Sequence, residues 1–212
     1  MEERTQGLVL RTRRLTETSL IVHWLTPDLG RLATVAKGAL RPKSPFRGKL
    51  DLFYLADLSF QRSRRSELHT LREVALRGTH PMLRQDIVRL QQAAYAAALV
   101  EQVTETETPL PTFYQLLVGF LDHLTRQGAQ PRDVFAFEIK LLAELGQLPD
   151  LDHATLSAGG RNLLRLFVAA DWRGIGLVIQ SAAQVLELRQ FLHGFLIYNL
   201  DRVPAGRESL CQ

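Results

Sequence analysis

The spacing of apolar residues changes near residue 80, and this change constrains the fold more than any other feature of the sequence. In residues 51–61 the even positions are all apolar and polar residues occupy the other face, which is typical of a strand with one buried face. After residue 80 the apolar residues recur with the period of a helix. The sequence therefore predicts an α+β protein in which residues 1–79 form a small β domain and residues 80–212 an all-α domain.

Five segments before residue 80 have the alternation and composition of strands. A turn sequence, Pro27-Asp28-Leu29-Gly30, separates the second segment from the third. Five strands in about 80 residues is the size of a small barrel such as the OB-fold, and an SH3-like barrel has the same pattern. The predicted strands are Gly7–Thr12, Ser19–Thr26, Arg31–Lys37, Asp51–Gln61 and Leu68–Leu76.

Five helices are predicted after residue 80. Pro81 suits a first helical turn, Thr112 can cap the second helix, and Pro131 opens the third. Ser157 and Ser181 begin the fourth and the fifth. The leucine and aromatic stripes along these helices are typical of a packed core, so the second half is predicted to be a helical bundle.

The charge is distributed unevenly between the two halves. Residues 1–80 contain 15 Lys and Arg against 8 Asp and Glu, whereas residues 81–212 contain 11 against 14. The net charge of +4 therefore combines a basic first half with a mildly acidic second half. A basic half indicates a polyanionic partner, with solubility alone as the alternative.

The most informative stretch is GRLATVAKGALRPKSPFRGKL, residues 30–50, which has six cations and no acid. Its glycines and prolines predict a flexible loop over residues 38–48. A nucleic-acid backbone would relieve the repulsion between these cations with release of counterions, and Phe46 is a candidate for stacking on a base. The alternatives are a solvated basic loop and an adaptor function, in which the basic barrel binds an acidic protein tail or an RNA. The six cations are Arg31, Lys37, Arg41, Lys43, Arg47 and Lys49.

Two further groups of arginines lie in the same half. Arg11, Arg13 and Arg14 follow the first predicted strand, and they either extend a binding groove or are exposed turn residues. The arginines of residues 62–65 follow the fourth strand, and we interpret them as exposed turn residues.

No arrangement of residues predicts a catalytic or metal site. The acid pairs Glu105/Glu107 and Asp150/Asp152 lie on short polar loops without a third ligand, so we interpret them as solvated. The six histidines have no metal-ligand spacing, and the single cysteine, Cys211, cannot form an intrachain disulfide. The chain is therefore predicted to have no enzymatic activity.

The sequence also predicts a cytoplasmic protein. No apolar run approaches the thickness of a bilayer, and the acidic N-terminal residues are unlike a secretory signal. One cysteine fits a reducing compartment.

The run from Gly7 to Phe60 resembles the start of RecO, a family of bacterial recombination and repair proteins. The most specific features are the turn into a Gly-Arg strand, the Ala-Lys-Gly that ends it, and the following Arg-Pro-Lys-Ser and Phe-Arg-Gly. The resemblance continues through LLAELGQLPDL (141–151) and LSAGGRNLLRLF (156–167) to the last helix, and so covers nearly the whole chain.

This resemblance implies an OB-fold followed by a helical domain. It also implies binding to single- and double-stranded DNA, annealing of complementary strands, and loading of the recombinase RecA onto strands coated by single-strand-binding protein (SSB). The implied protein partners are RecR, the C-terminal tail of SSB and, indirectly, RecA, and no membrane is involved. Matched to the family, DNA contact is expected at Arg31 and at the cations of residues 37–49.

One departure from the family concerns metal. Many relatives carry a four-cysteine zinc module between the segments that match LGQLPDL and LSAGG, whereas here Asp152–Thr155 alone separate these segments. We therefore expect no zinc and no cofactor.

The implied SSB tail is acidic and ends in phenylalanine, so it requires an apolar pocket with arginines at the rim. Arg126 and Arg132 bracket the turn between the second and third predicted helices, and Arg161 and Arg165 share a face of the fourth. The sequence leaves the choice between these pairs open, and surface arginines with packed stems are the alternative for all four.

Overall fold

The computed structural model describes residues 2–211. Contacts within the chain divide it into two compact units. The first unit contains Met1–His80 and also Thr104–Gln115, a segment that lies inside the predicted helical half. The second unit contains Pro81–Val103 and Leu116–Gln212.

The first unit is a closed five-stranded barrel with the strand order β1-β2-β3-β5-β4. Only β3 and β5 pair in parallel among the strand pairs of the described residues. This is the OB-fold that the alternating pattern predicted, and the SH3-like alternative is excluded by the strand order. The strands are β1 Glu2–Arg14, β2 Leu20–Thr26, β3 Gly30–Ala36, β4 Leu55–Gln61 and β5 Leu68–Gly78.

The interior of the barrel is apolar, as the alternation along β4 predicted. Ala56, Leu58 and Phe60 are all buried in its core. Trp24 is also fully buried, and its indole Nε1 donates a hydrogen bond of 2.9 Å to Thr34 Oγ1. This bond satisfies the one polar atom that the indole carries into the core.

Two predicted strand starts are wrong by four residues or more. β1 begins five residues before the predicted Gly7, while β4 begins at Leu55 and not at Asp51. Phe53 has a positive φ of 61°, which extended strand backbone does not adopt. Its N–H donates to Val9 O at 2.9 Å, so the segment before β4 is a turn that packs on β1.

The chain after residue 80 contains the predicted helices, with differences at their starts. Pro81–Arg84 form a separate short 3-10 helix, because Asp86 starts the next helix by accepting the N–H of Val88 at 2.9 Å. Ser157 and Ser181 are N-caps as predicted. The second helix starts at Pro111, one residue before the predicted cap. The α-helices are α1 Ile87–Val103, α2 Pro111–Arg126, α3 Pro131–Glu144, α4 Ala158–Ala169, α5 Trp172–Gly176, α6 Ala182–Leu200 and α7 Arg207–Leu210.

The second unit buries an ion pair within its apolar core. Arg207 donates from Nε to Glu138 Oε1 at 2.6 Å, and the Tyr95 hydroxyl donates to the same carboxylate at 2.6 Å. Burial lowers the pKa of Arg207, but the hydrogen bond and charge of Glu138 outweigh it and raise the pKa above its usual value. Arg207 therefore stays charged, and its hydrogen bonds to Glu138 attach the short α7 to α3.

Candidate nucleic-acid interface

The cations of residues 37–49 lie on a loop that is built from consecutive turns, and we call it the basic loop. Its N–H groups bond to carbonyls three residues earlier, from Arg41 to Gly38 at 3.1 Å and from Ser44 to Arg41 at 3.0 Å. The pattern continues from Arg47 to Ser44 at 3.2 Å. Gly38 and Gly48 have φ of 67° and 72°, a conformation that favours glycine. The predicted flexible loop is therefore a defined structure.

Phe46 anchors the basic loop and does not face solvent. Its residue is 7% exposed, and it packs with Ala39 in the core of the barrel. The prediction that Phe46 stacks on a base from an exposed position is therefore wrong, because most of the ring is buried in the core of the barrel. Its burial holds the loop backbone against the barrel.

The cations of the basic loop point away from this anchor. Lys37, Arg41, Lys43 and Arg47 are exposed, and Lys49 is half-buried. Among residues 2–211, none of the five forms an ion pair with an acidic side chain. Arg47 instead donates from Nη1 to the carbonyl of Pro42 at 3.2 Å. The structure thus presents five positive charges without internal neutralisation.

Arg31 does not lie on the basic loop. It is at the start of β3, whereas the basic loop follows the end of that strand about 20 Å away at the usual rise per residue. The Arg31 guanidinium donates to the carbonyl of Thr104, and its own carbonyl accepts the N–H of Glu107 at 2.8 Å. The structure therefore uses Arg31 to hold the segment Thr104–Gln115 on the barrel and does not bring it to the loop.

The arginines near residue 14 lie within β1 and not after it. Arg11 and Arg13 share one face of the strand, and Arg14 pairs across the ladder with Leu20. The turn after Arg14 touches the basic loop, because the N–H of Leu40 donates to Thr18 O at 2.9 Å. The structure therefore brings the end of β1 beside the basic loop.

A groove of about 650 Å³ adds cations that sequence reasoning missed. Arg4 on β1 and Arg72 on β5 line it together with Lys49. Asp57 and Glu73 also line it, so its charge is mixed. Single cations separated by 68 residues carry no sequence signal, and only the pairing of β1 and β5 with β4 brings them together.

Glu107, which the sequence suggested is solvated, is bonded within the barrel unit. Its carboxylate contacts His69 Nε2 at 2.7 Å and accepts from Arg62 Nη1 at 2.7 Å. Arg62 also donates to Glu3 at 2.6 Å, and this hydrogen bond lowers the pKa of Glu3. These residues attach the segment after α1 to the barrel, so Arg62 is not a simple exposed turn residue.

The acids Asp150 and Asp152 in the second unit also have partners. Asp150 bonds to His153 at 2.8 Å, and Asp152 pairs with Arg165 at 2.5 Å. Arg161 donates to the carbonyl of Asp152 at 3.3 Å. Arg161 and Arg165 therefore hold the turn that precedes α4.

The other candidate pair is beside exposed apolar residues. The Arg126 side chain is 76% exposed and forms an ion pair of 3.7 Å with Asp122, whereas Arg132 is largely buried and donates to Gly176 O at 3.1 Å. After Gly176 the chain exposes Leu177 and Ile179, at 77% and 91%. The structure thus places cations and exposed apolar side chains together at the α2–α3 turn.

Within residues 2–211, no helix is both long enough and apolar enough to span a bilayer.

Comparison with known proteins shows what the chain is similar to. The family model described as Recombination protein O N terminal matches residues 1–80, and the one described as Recombination protein O C terminal matches residues 84–156. A protein named DNA repair protein RecO from Geobacter sulfurreducens is 34% identical over 149 residues, which cover 70% of this chain and 60% of that protein. The namesake from Bacillus subtilis is 33% identical over 159 residues, 72% of this chain and 59% of that protein.

A third relative with the same name, from Rhodopirellula baltica, is 31% identical over 175 residues. This match covers 82% of the chain and 65% of that protein. The chain therefore spans about three-fifths of the length of the curated relatives that it matches.

Proposed function

Because the chain belongs to the RecO family, we propose that it binds single- and double-stranded DNA and anneals complementary strands during recombinational repair in the bacterial cytoplasm. The barrel, residues 1–79, carries the DNA in this proposal, and residues 80–212 carry the protein partners. The activity is binding and alignment of strands, without a catalytic step. RecR as a partner and the loading of RecA onto SSB-coated DNA belong to the same proposal and rest on the family.

The observation that carries the proposal is the basic loop. Its five cations have no acidic partner among the described residues, and turns together with the buried Phe46 hold the backbone that presents them. Binding of a nucleic acid to such a surface is favourable, because each cation near a phosphate releases a condensed counterion. These turns hold the backbone that carries the cations before DNA binds, so little backbone entropy is lost on association.

Strand annealing tests the proposal directly. The rate at which two complementary labelled oligonucleotides pair, with and without SSB, is expected to rise when the protein is added. The matching test variant replaces Lys43 and Lys49 by Gln, which removes charge from the basic loop and is expected to slow annealing. A wild-type protein that leaves the annealing rate unchanged would contradict the proposed function.

We propose further that the α2–α3 turn binds the acidic tail of SSB. Arg126 supplies an exposed cation, and Leu177 and Ile179 supply apolar surface beside it. Arg132 supports this surface through its bond to Gly176. Arg165 lies 2.5 Å from Asp152, a closer ion pair than the 3.7 Å between Arg126 and Asp122.

A synthetic peptide of the SSB tail distinguishes the two candidate pairs. Arg126→Glu is expected to weaken peptide binding, because it replaces an exposed cation by an acid beside an acidic ligand. Arg165→Glu is the control at a cation with the shorter ion pair, to Asp152, and it is expected to change peptide affinity little. The reverse order of effects would place the tail at α4, and loss of peptide binding only in basic-loop variants would place it on the DNA surface.

A further inference from the structure

A hollow of about 380 Å³ lies under one side of the basic loop. Its walls are apolar and come from the loop, from the start of β2 and from the residue after the loop, while two arginines stand at its edge. The residues that matter are Leu20, Leu40, Pro42, Leu50, Arg41 and Arg47. A concave site of this size that combines apolar walls with a few polar groups is typical of a small-ligand site.

The hollow is formed before any ligand arrives. The N–H of Leu40 bonds to Thr18 O at 2.9 Å, which fixes one wall against the β1–β2 turn. Phe46 also lines the hollow, and its position in the barrel core fixes the opposite side. Leu40 itself remains 41% exposed, although it is surrounded by a well-packed loop. An apolar side chain held at the mouth of a rigid hollow is available to a flat apolar ligand.

The charge at the hollow indicates an anionic ligand. No acidic residue is among the described residues that line it, and Arg41 and Arg47 are both exposed. The cations continue beyond the hollow, through Lys37 and Lys43 on the loop and through Arg14, the strand partner of Leu20. A row of charges longer than the hollow fits a chain of phosphates better than the few carboxylates of a short peptide.

We propose that this hollow takes one unpaired base of a DNA strand while the flanking phosphates lie on Arg41 and Arg47. The inference rests on the proposed function, because it requires DNA on the basic loop. A base inside a duplex has its edge paired and its faces stacked, so it enters only after it is unstacked and unpaired. The hollow therefore adds affinity for single strands, whereas the cations alone bind either form.

The test compares two oligonucleotides with equal numbers of phosphates. One is oligo-dT and the other has abasic sites at the same positions, and both are titrated against the intact protein at one salt concentration. Base contacts in single-strand binding predict that the wild-type protein binds oligo-dT at least about fivefold more tightly. Equal affinity for the two oligonucleotides overturns the base hollow but leaves phosphate binding in place. Absence of binding to both overturns the proposed function as well.

The variant Leu40→Ser tests whether the hollow causes the preference for oligo-dT. This variant is expected to lose the preference for oligo-dT and to keep the salt dependence of wild type, because no charge changes. Leu76→Ser is the matched control, since Leu76 is 39% exposed on the same unit and does not line the hollow. A preference for oligo-dT that survives Leu40→Ser overturns the assignment to this hollow.

An acidic peptide ending in Phe is the probe for the other possible occupant. Two results together overturn the proposal: Leu40→Ser weakens binding of this peptide, and wild-type protein binds the two oligonucleotides equally. The hollow then takes a protein side chain and not a base.

Discussion

Replacement of Lys37, Arg41 and Arg47 together by Ala is the sharpest perturbation of the basic loop. All three side chains are exposed, and none forms an ion pair within residues 2–211. Their removal therefore breaks no internal salt bridge, and the backbone turns that shape the loop are kept. The variant is expected to bind all DNA sequences more weakly and to the same degree, because phosphate contacts carry no sequence information.

The magnitude follows from counterion release. Each phosphate contact to a single strand contributes about 0.7 to the slope of log affinity against log salt, so three lost contacts flatten the slope by about 2. Between about 50 and about 200 mM salt, this difference changes the affinity ratio of wild type to variant by about twentyfold. The wild-type advantage is therefore expected to be large at low salt and to shrink steeply as salt is added.

Fluorescence anisotropy of a labelled single strand across this salt range measures both slopes. The control replaces Arg64, Arg65 and Arg173 by Ala, which removes the same net charge from exposed positions outside the loop. The control is expected to keep the wild-type slope, and both variants are expected to unfold at the wild-type denaturant midpoint because exposed substitutions cost little stability. If the loop variant keeps the wild-type slope, the basic loop is not the DNA contact.

Three further predictions concern the helical unit and metal. Glu138→Ala is expected to lower the free energy of unfolding by about 3–5 kcal/mol, because it leaves the buried Arg207 without a counterion. Asp57→Ala breaks an exposed pair with Arg77 and is expected to lower it far less, so equal losses in urea titrations would contradict this difference. Burial raises the pKa of Cys211 to about 12, so a thiol reagent at neutral pH is expected to label it only as fast as the C-terminal segment opens. Labelling at the rate of a free thiol would contradict this expectation. Elemental analysis of purified protein is expected to show no stoichiometric zinc, because the connection that replaces the family's zinc module has no cysteine, and one zinc per chain would refute this interpretation.

The alternation of apolar residues and the helix caps were sufficient to predict much of the fold. The alternation through Ala56, Leu58 and Phe60 identified the strand interior, because side chains of a strand point alternately to its two faces. The caps at Ser157 and Ser181 were readable because a serine hydroxyl satisfies helix N–H groups within its own segment. Both features depend only on residues close in sequence.

The candidate site was predictable only in its charge. An acid-free run predicts exposed cations wherever it folds, and the cations of the basic loop are exposed. The contacts of Phe46 and Arg31 were not predictable from the sequence. The Phe46 ring packs in the barrel core, and the Arg31 guanidinium donates to Thr104, more than 70 residues later. A sequence shows which polar and apolar groups each residue carries. It does not show which residues distant in sequence will contact those groups.

Hydrophobic period, turn residues and charge distribution by themselves determined that this chain has a small barrel, a helical bundle and a basic loop. Tertiary structure alone decided that the loop packs on the barrel through Phe46, that Leu20 and Leu40 line one hollow, and that Thr104–Gln115 joins the barrel unit. The physical reason is the range of the interactions. Backbone propensity and side-chain period act over a few residues, whereas packing and salt bridges depend on groups that only the closed barrel brings within contact distance.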